Sequence, residues 1–246
     1  MGLILSRFGA APKVRVVVLG SSGAGKTCLT QTLSTGKMPE HLMSGGMLNV
    51  STVVYQGHGK EEAGRQEGKH GGRVAGWQGG SGERTAFRSF EYEGSTVEYE
   101  LYDMGATGVN PQLTWENFYE GCGAVVWVVD SANFDGAWEG MGFEGRQTVG
   151  RFQRALGQPD LQGLPLLVFA NKQDLPQAMS VAEIEERLEM RSLPPTTKWY
   201  VQCVSGTEGL YEGWDWLHHE MVAHIRDNQA HSHVQSGTWG SMGWLC

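Results

Sequence analysis

Lys13–Thr27 reads KVRVVVLGSSGAGKT. Its first seven residues form a β-branched run between Pro12 and Gly20, which predicts a buried strand. The next eight fit Gly-x-x-x-x-Gly-Lys-Thr, and Leu29 and Leu33 then predict a helix over 25–33 with both leucines on one face. Strand, glycine-rich turn and helix, in that order, is the setting in which this motif holds phosphate. Gly20, Ser21, Ser22, Gly23, Ala24 and Gly25, followed by Lys26, Thr27 and Cys28, are therefore the candidate phosphate-contacting residues. The glycines let backbone N–H groups converge on a β-phosphate, and the helix N-terminus adds a favourable field. Lys26 is expected to reach the β- and γ-phosphates, and the Thr27 hydroxyl to ligate Mg²⁺.

A second signature lies far downstream. Phe169–Leu175 reads FANKQDL, with Leu166–Ala170 predicted as a buried strand that ends at Asn171-Lys172-x-Asp174. Ligands of open α/β sheets bind at such strand ends. The Asp174 carboxylate can accept two hydrogen bonds, from the N1–H and N2 amine of guanine, and adenine offers no such pair. Asn171 is expected at the purine's O6 and N7 edge, and Lys172 along the base. Four letters alone are a weak signal. In phase with the phosphate loop they point to a guanine nucleotide, GTP or GDP, and against an ATP-using kinase.

The intervening chain alternates strands and helices. Strands are predicted over 47–55, 97–102, 124–130 and 198–204, and helices over 114–120, 143–156, 180–189 and 210–225, with Ser180 and Glu183 as a capping box. No helix is predicted between the second and third strands, so these should form an antiparallel hairpin. The expected fold is thus a doubly wound α/β domain over 13–225, its sheet of about six mostly parallel strands covered on both faces. Two stretches fall outside that scaffold: a Gly-rich insert at about 56–82, expected to be a disordered loop, and a polar tail over 226–246, expected to be mobile.

Bulk properties narrow the partners. A net charge of −8 argues against a general nucleic-acid binder. The four cysteines form no CxxC pair and no zinc spacing, and no apolar run is long enough to span a bilayer. These features, with no secretory signal, lead to the expectation of a cytoplasmic setting. Met1–Ser6 (MGLILS) fits the pattern for N-myristoylation at Gly2, and Leu3, Ile4, Leu5 and Phe8 add apolar surface to the 1–12 segment. One acyl chain binds marginally, so the membrane attachment expected is reversible.

The runs LLVFANKQDLPQAMSVAEI (Leu166–Ile184), GLYEGWDWL (Gly209–Leu217), NVSTVVY (Asn49–Tyr55) and VVDS (Val128–Ser131) resemble the ADP-ribosylation factor family of small GTPases. The resemblance implies a Mg²⁺-dependent GTP/GDP switch that hydrolyses GTP slowly. It also implies exchange factors, activating proteins and effectors as partners, and a role in membrane traffic or intracellular protein transport on endomembranes of Golgi or ciliary-base type. It places Cys203, Val204 and Ser205 in the base-supporting loop and Asp103 at the metal. Leu48, Tyr102 and Phe118 fall where the family exposes an apolar triad to effectors, and the N-terminal lipid device is one the family usually carries.

Departures from the family pattern gather around the γ-phosphate. After Asp103 the family has two glycines and a glutamine; here Met104 and Gly105 are followed by Ala106 and Thr107. Ala106 puts a methyl beside the N–H that approaches the γ-phosphate. Thr107 stands where a glutamine would orient the attacking water. Gly45 aligns with the threonine that closes over Mg²⁺, and Ser44 is the neighbouring substitute. Catalysis, if retained, rests on Lys26 and a degenerate Thr107. The alternative is a scaffold that binds GTP or GDP and recruits partners without useful turnover.

Overall fold

The computed structural model describes residues 13–39, 48–56, 73–74, 96–105, 115–134 and 147–236. Gly2, Ser44, Gly45, Ala106, Thr107, most of the Gly-rich insert and the last ten residues lie outside them.

The elements in chain order are β1 (Lys13–Gly20), α1 (Lys26–Thr35), β2 (Leu48–Gln56), β3 (Arg73–Val74), β4 (Thr96–Met104), β5 (Cys122–Asp130), α2 (Gln147–Leu156), β6 (Leu166–Asn171), α3 (Val181–Arg187), β7 (Trp199–Cys203) and α4 (Leu210–Ser236). Seven strands form one sheet in the order β3-β2-β4-β1-β5-β6-β7. From β4 to β7 every pairing is parallel, and β2 runs antiparallel to β4 as expected from the missing crossover helix. The six anticipated strands are all present. The seventh, Arg73–Val74, falls inside the stretch expected to be loop and pairs with Tyr55 and Gln56.

Strand alternation builds two cores. On one face Val16, Val18, Val126 and Val128 pack with Leu29 and Leu33 of α1 and with Leu210, Trp214 and Leu217 of α4. On the other, Val17, Leu19, Val125 and Trp127 meet Trp115, Phe152 of α2 and Ile184 of α3. Consecutive side chains point to opposite faces, so a strand buried along its whole length, such as β6, is what a sheet covered on both sides requires. Trp127 sits edge-on to both Trp115 and Phe152, at 6.3 and 5.2 Å between ring centroids.

Two expected helices need correction. The stretch 114–120 is a single 3-10 turn over Glu116–Phe118. The last helix does not stop at Ile225 but runs to Ser236, because 226–236 contains no glycine or proline and Gly237 is the first breaker. The capping box at the start of α3 is present in full, with the Ser180 hydroxyl accepting from Glu183 N–H and the Glu183 carboxylate accepting from Ser180 N–H.

Candidate nucleotide-binding site

The carboxyl ends of β1, β4 and β6 bring the two signatures together. Gly20 leaves β1 at φ +138°, and a Cβ there would lie 2.1 Å from the carbonyl oxygen of Val128. Gly25 precedes α1 at φ +101°, and a Cβ there would lie 2.3 Å from Nδ2 of Asn171. Both positions combine a left-handed backbone with close approach, so the loop needs glycine for its path as well as for any ligand. No side chain caps the N-terminus of α1, which leaves its amides available to an anion.

Lys26 is buried beneath this loop, and its Nζ donates to the carbonyls of Gly20 (3.0 Å) and Ser21 (2.8 Å). Burial lowers its pKa to about 8, against a partial opposing pull from the Asp103 carboxylate. A second anion at the loop would favour the charged ammonium, which is the electrostatic basis for phosphate capture here. Ser21 is also buried, with its hydroxyl 3.4 Å from that of Thr148, which in turn donates to the carbonyl of Phe134.

Beside the lysine, Thr27 Oγ1 donates to Asp103 Oδ2 at 2.5 Å, and Asn49 Nδ2 donates to the same oxygen at 3.3 Å. Asp103 is 1% exposed, and its other oxygen, Oδ1, is buried without a hydrogen-bond partner. A buried, orphaned carboxylate oxygen next to a hydroxyl is costly unless a cation or its waters occupy the space. The donor set is all oxygen and too small for a protein-only cage. It suits Mg²⁺, which is held by one or two side chains and completed by water and phosphate. Among the described residues no cluster of three His, Cys, Asp or Glu offers another metal site. Gly105 is fixed by Trp115, whose Nε1 donates to the Gly105 carbonyl at 2.9 Å.

At the base side, Asn171 Nδ2 donates to the carbonyl of Ala24 at 2.8 Å, tying the β6 end to the phosphate loop. Lys172 adopts φ +64°, a conformation few non-glycine residues take, and its Nζ pairs with Asp130 Oδ2 at 2.6 Å. Asp130 uses its other oxygen to accept from the amides of Ala132 and Asn133, both at 3.1 Å. Asp174 is exposed, with Ser205 Oγ donating to its Oδ1 at 3.3 Å. The amides of Val204 and Ser205, anticipated near a guanine O6, are engaged by the carbonyls of Ala170 (2.9 Å) and Glu208 (3.2 Å). The first bond continues the β6–β7 pairing, and the second belongs to a separate Ser205–Glu208 bridge. Cys203 is the last residue of β7 and is half-buried.

Asn49, Asp130, Thr148 and Trp115 carry site geometry that no motif assigned. The first two were in view within the quoted runs NVSTVVY and VVDS, but nothing in those letters gave them a bonding partner. On the outer side, Leu48, Tyr102 and Phe118 are half-buried and packed against one core, with the last two rings 6.3 Å apart. The Arg15 guanidinium lies 4.7 Å from the Tyr102 ring centroid. Val50, opposite Tyr102 in the β2–β4 register, extends this apolar surface at 53% exposure.

The fold is similar to that of the Arl6 BBS3 small GTPase from Trypanosoma brucei, solved with the bound nucleotide analogue GppNp. The match has a TM-score of 0.57 at 23% identity and covers 86% of this chain and 98% of that one. Residues 85–221, more than half of the chain, match the model of the ADP-ribosylation factor family. The chain therefore belongs to the ADP-ribosylation factor family of small GTPases.

Proposed function

We propose that this protein is a Mg²⁺-dependent GTP/GDP switch with slow hydrolysis. The observation that carries the reading is the Lys26–Thr27–Asp103 group, with Lys26 and Asp103 buried, joined through Ala24 and Asn171 to the Asp174 carboxylate. This reading puts phosphate, metal and guanine functions on one strand-end surface. When bound, Mg²⁺ neutralises charge on the β- and γ-phosphates; Thr27 and Asp103 are the residues that would hold it. Lys26 positions the phosphates, and Asp174 selects guanine by accepting two donors. Thr107 has a short hydroxyl and no amide to bridge water and phosphate, so turnover is slow and calls on an activating protein.

Ala106 and Thr107 also favour a second reading, a GTP- or GDP-binding scaffold without useful turnover. In both readings Leu48, Val50, Tyr102 and Phe118 meet effectors. A myristoyl group on Gly2 attaches the chain reversibly to endomembranes in traffic or protein transport. Equilibrium binding of fluorescent GDP tests the site. Competition by GTP but not ATP, weakened by chelating Mg²⁺, is expected; equal competition by ATP refutes the guanine assignment.

A further inference from the structure

Asp130 ends β5, opposite Asn171 in the parallel β5–β6 register. Its carboxylate takes three donors from the chain. Oδ1 accepts from the amides of Ala132 and Asn133, which fixes the acid against its own turn, and Oδ2 accepts from Lys172 Nζ at 2.6 Å. The two partners of that ion pair are unequal. The Asp130 side chain is 12% exposed and tied to two backbone amides, whereas the Lys172 side chain is 35% exposed and ends a stem of four rotatable bonds. The acid is therefore the fixed end, and the lysine is the end that moves when the pair is broken. A free lysine has large rotamer entropy, and holding its ammonium removes much of that freedom.

The backbone of Lys172 points the same way. It turns left-handed at φ +64°, and the chain is pinned on either side. The Asn171 carbonyl accepts from Ser131 N–H, and Gln173 N–H donates to the Val204 carbonyl. A sparsely populated conformation that its surroundings impose marks a side chain whose direction matters. From this turn the lysine reaches the end of β5, while Asp174, two residues on, is exposed and bonded to Ser205.

We propose that Asp130 is a positioning residue of the guanine site. By holding the Lys172 ammonium at the end of β5, it presents the lysine stem as a fixed apolar face for the base and keeps the ammonium away from Asp174. This inference rests on the reading of Asp174 as the guanine acceptor. An ammonium released from Asp130 has the Asp174 carboxylate two residues along the chain, and pairing there occupies oxygens that the base needs. Asp130 acts through the lysine and touches no nucleotide itself.

Binding and release of fluorescent GDP by four full-length chains test this: the unmodified protein, Asp130→Asn, Lys172→Met and the double variant. Asparagine keeps a carbonyl oxygen for the Ala132–Asn133 turn and loses the charge that holds the ammonium, whereas methionine keeps an apolar stem and has no ammonium to release. Asp130→Asn is expected to weaken binding by about tenfold, mostly through faster release, the worth of ordering one long side chain. Lys172→Met is expected to stay within about threefold of the unmodified protein, and adding it to Asp130→Asn to restore binding to that level. An equal loss from Asp130→Asn in both backgrounds assigns the residue to its turn alone and overturns the proposal, as does no loss in either. Those outcomes leave the guanine reading standing; failure of the unmodified chain to bind GDP overturns both. Side-chain NMR relaxation of the unmodified chain is a check independent of any variant. The Lys172 Cε order parameter is expected above about 0.6, the limit for a flexible group, with that of exposed Lys198 below it. Equal values for the two lysines overturn the anchoring.

Discussion

The guanine end of this molecule and its γ-phosphate end are built differently. At the guanine end, Asn171 is bonded to the phosphate loop, Lys172 to Asp130, and Asp174 to Ser205, all on the ends of buried strands. Each contact exists without a ligand's help, so under the proposed assignment recognition there is preorganised. At the γ-phosphate end, Asp103 is shared by Thr27 and Asn49 and keeps one oxygen without a partner. The chain that should complete this end carries Gly45, Ala106 and Thr107 where the family pattern has threonine, glycine and glutamine. On the proposed reading, binding and turnover depend on separate parts of the chain, and a protein can keep the first while weakening the second.

The largest effect that can break this comparison is at the base. Asp174→Asn should weaken guanine nucleotide binding by about 10²-fold or more, since two hydrogen bonds to a charged acceptor are lost, and should shift preference towards xanthine nucleotides. Unchanged guanine affinity by equilibrium titration would remove Asp174 from the site. At the other end, Ala106→Gly with Thr107→Gln should raise single-turnover hydrolysis by about 10²-fold, the worth of one preorganised group, without changing nucleotide affinity. A folded, loaded double variant that turns over no faster would show that these positions do not limit the rate.

A pH effect sharpens the comparison at the far end of the β2–β4 hairpin. Tyr99 Oη lies 2.5 Å from His218 Nδ1, and burial pushes the Tyr99 pKa up, so its hydroxyl stays protonated and donates. The ring then carries its proton on Nε2, which is buried without a partner. Burial, with a smaller push from His219, lowers the His218 pKa from 6.5 to about 4. The unfolded chain thus binds more protons between those values, and stability falls as pH drops through that window. Between pH 7.5 and 5 the loss should be about 2 kcal/mol, read by urea denaturation, and should vanish in His218→Phe. The same slope in the variant would assign the loss elsewhere. Smaller effects belong to the guanine end. Asn171→Ala should cost about 1–3 kcal/mol by orphaning the buried Ala24 carbonyl. Lys172→Met should cost no more than about 1 kcal/mol, because its partner is reached through a partly exposed side chain. Denaturation midpoints that reverse this order would mean that Asn171 does not bind the two loops together.

The scaffold was legible because its signals are local. Apolar runs gave the strands, the glycine motif gave the β1–α1 turn, and the lack of a crossover helix gave the antiparallel pair. What could not be read depends on tertiary partners. Nothing in FANKQDL says that Asn171 will donate to Ala24, because that bond requires the phosphate loop to pass within reach of β6. Likewise nothing in the letters Cys203-Val204-Ser205 shows that the Val204 and Ser205 amides meet the carbonyls of Ala170 and Glu208. The overlong α4 was missed for a different reason: its polar, His-rich composition suggested a tail, and the absence of any glycine or proline before Gly237 was the stronger signal.

The central claim, that binding is intact while turnover is slow, is tested most directly with GTP labelled separately on the γ-phosphate and on the guanine base. Both labels are followed on the loaded full-length protein, at saturating Mg²⁺ and with Mg²⁺ removed. The account predicts that at saturating Mg²⁺ the guanine label stays bound while the γ-label is lost slowly, and that removing Mg²⁺ releases both together. Failure to retain the guanine label at saturating Mg²⁺ would contradict the site. Rapid loss of the γ-label without a partner would contradict the role assigned to Ala106 and Thr107.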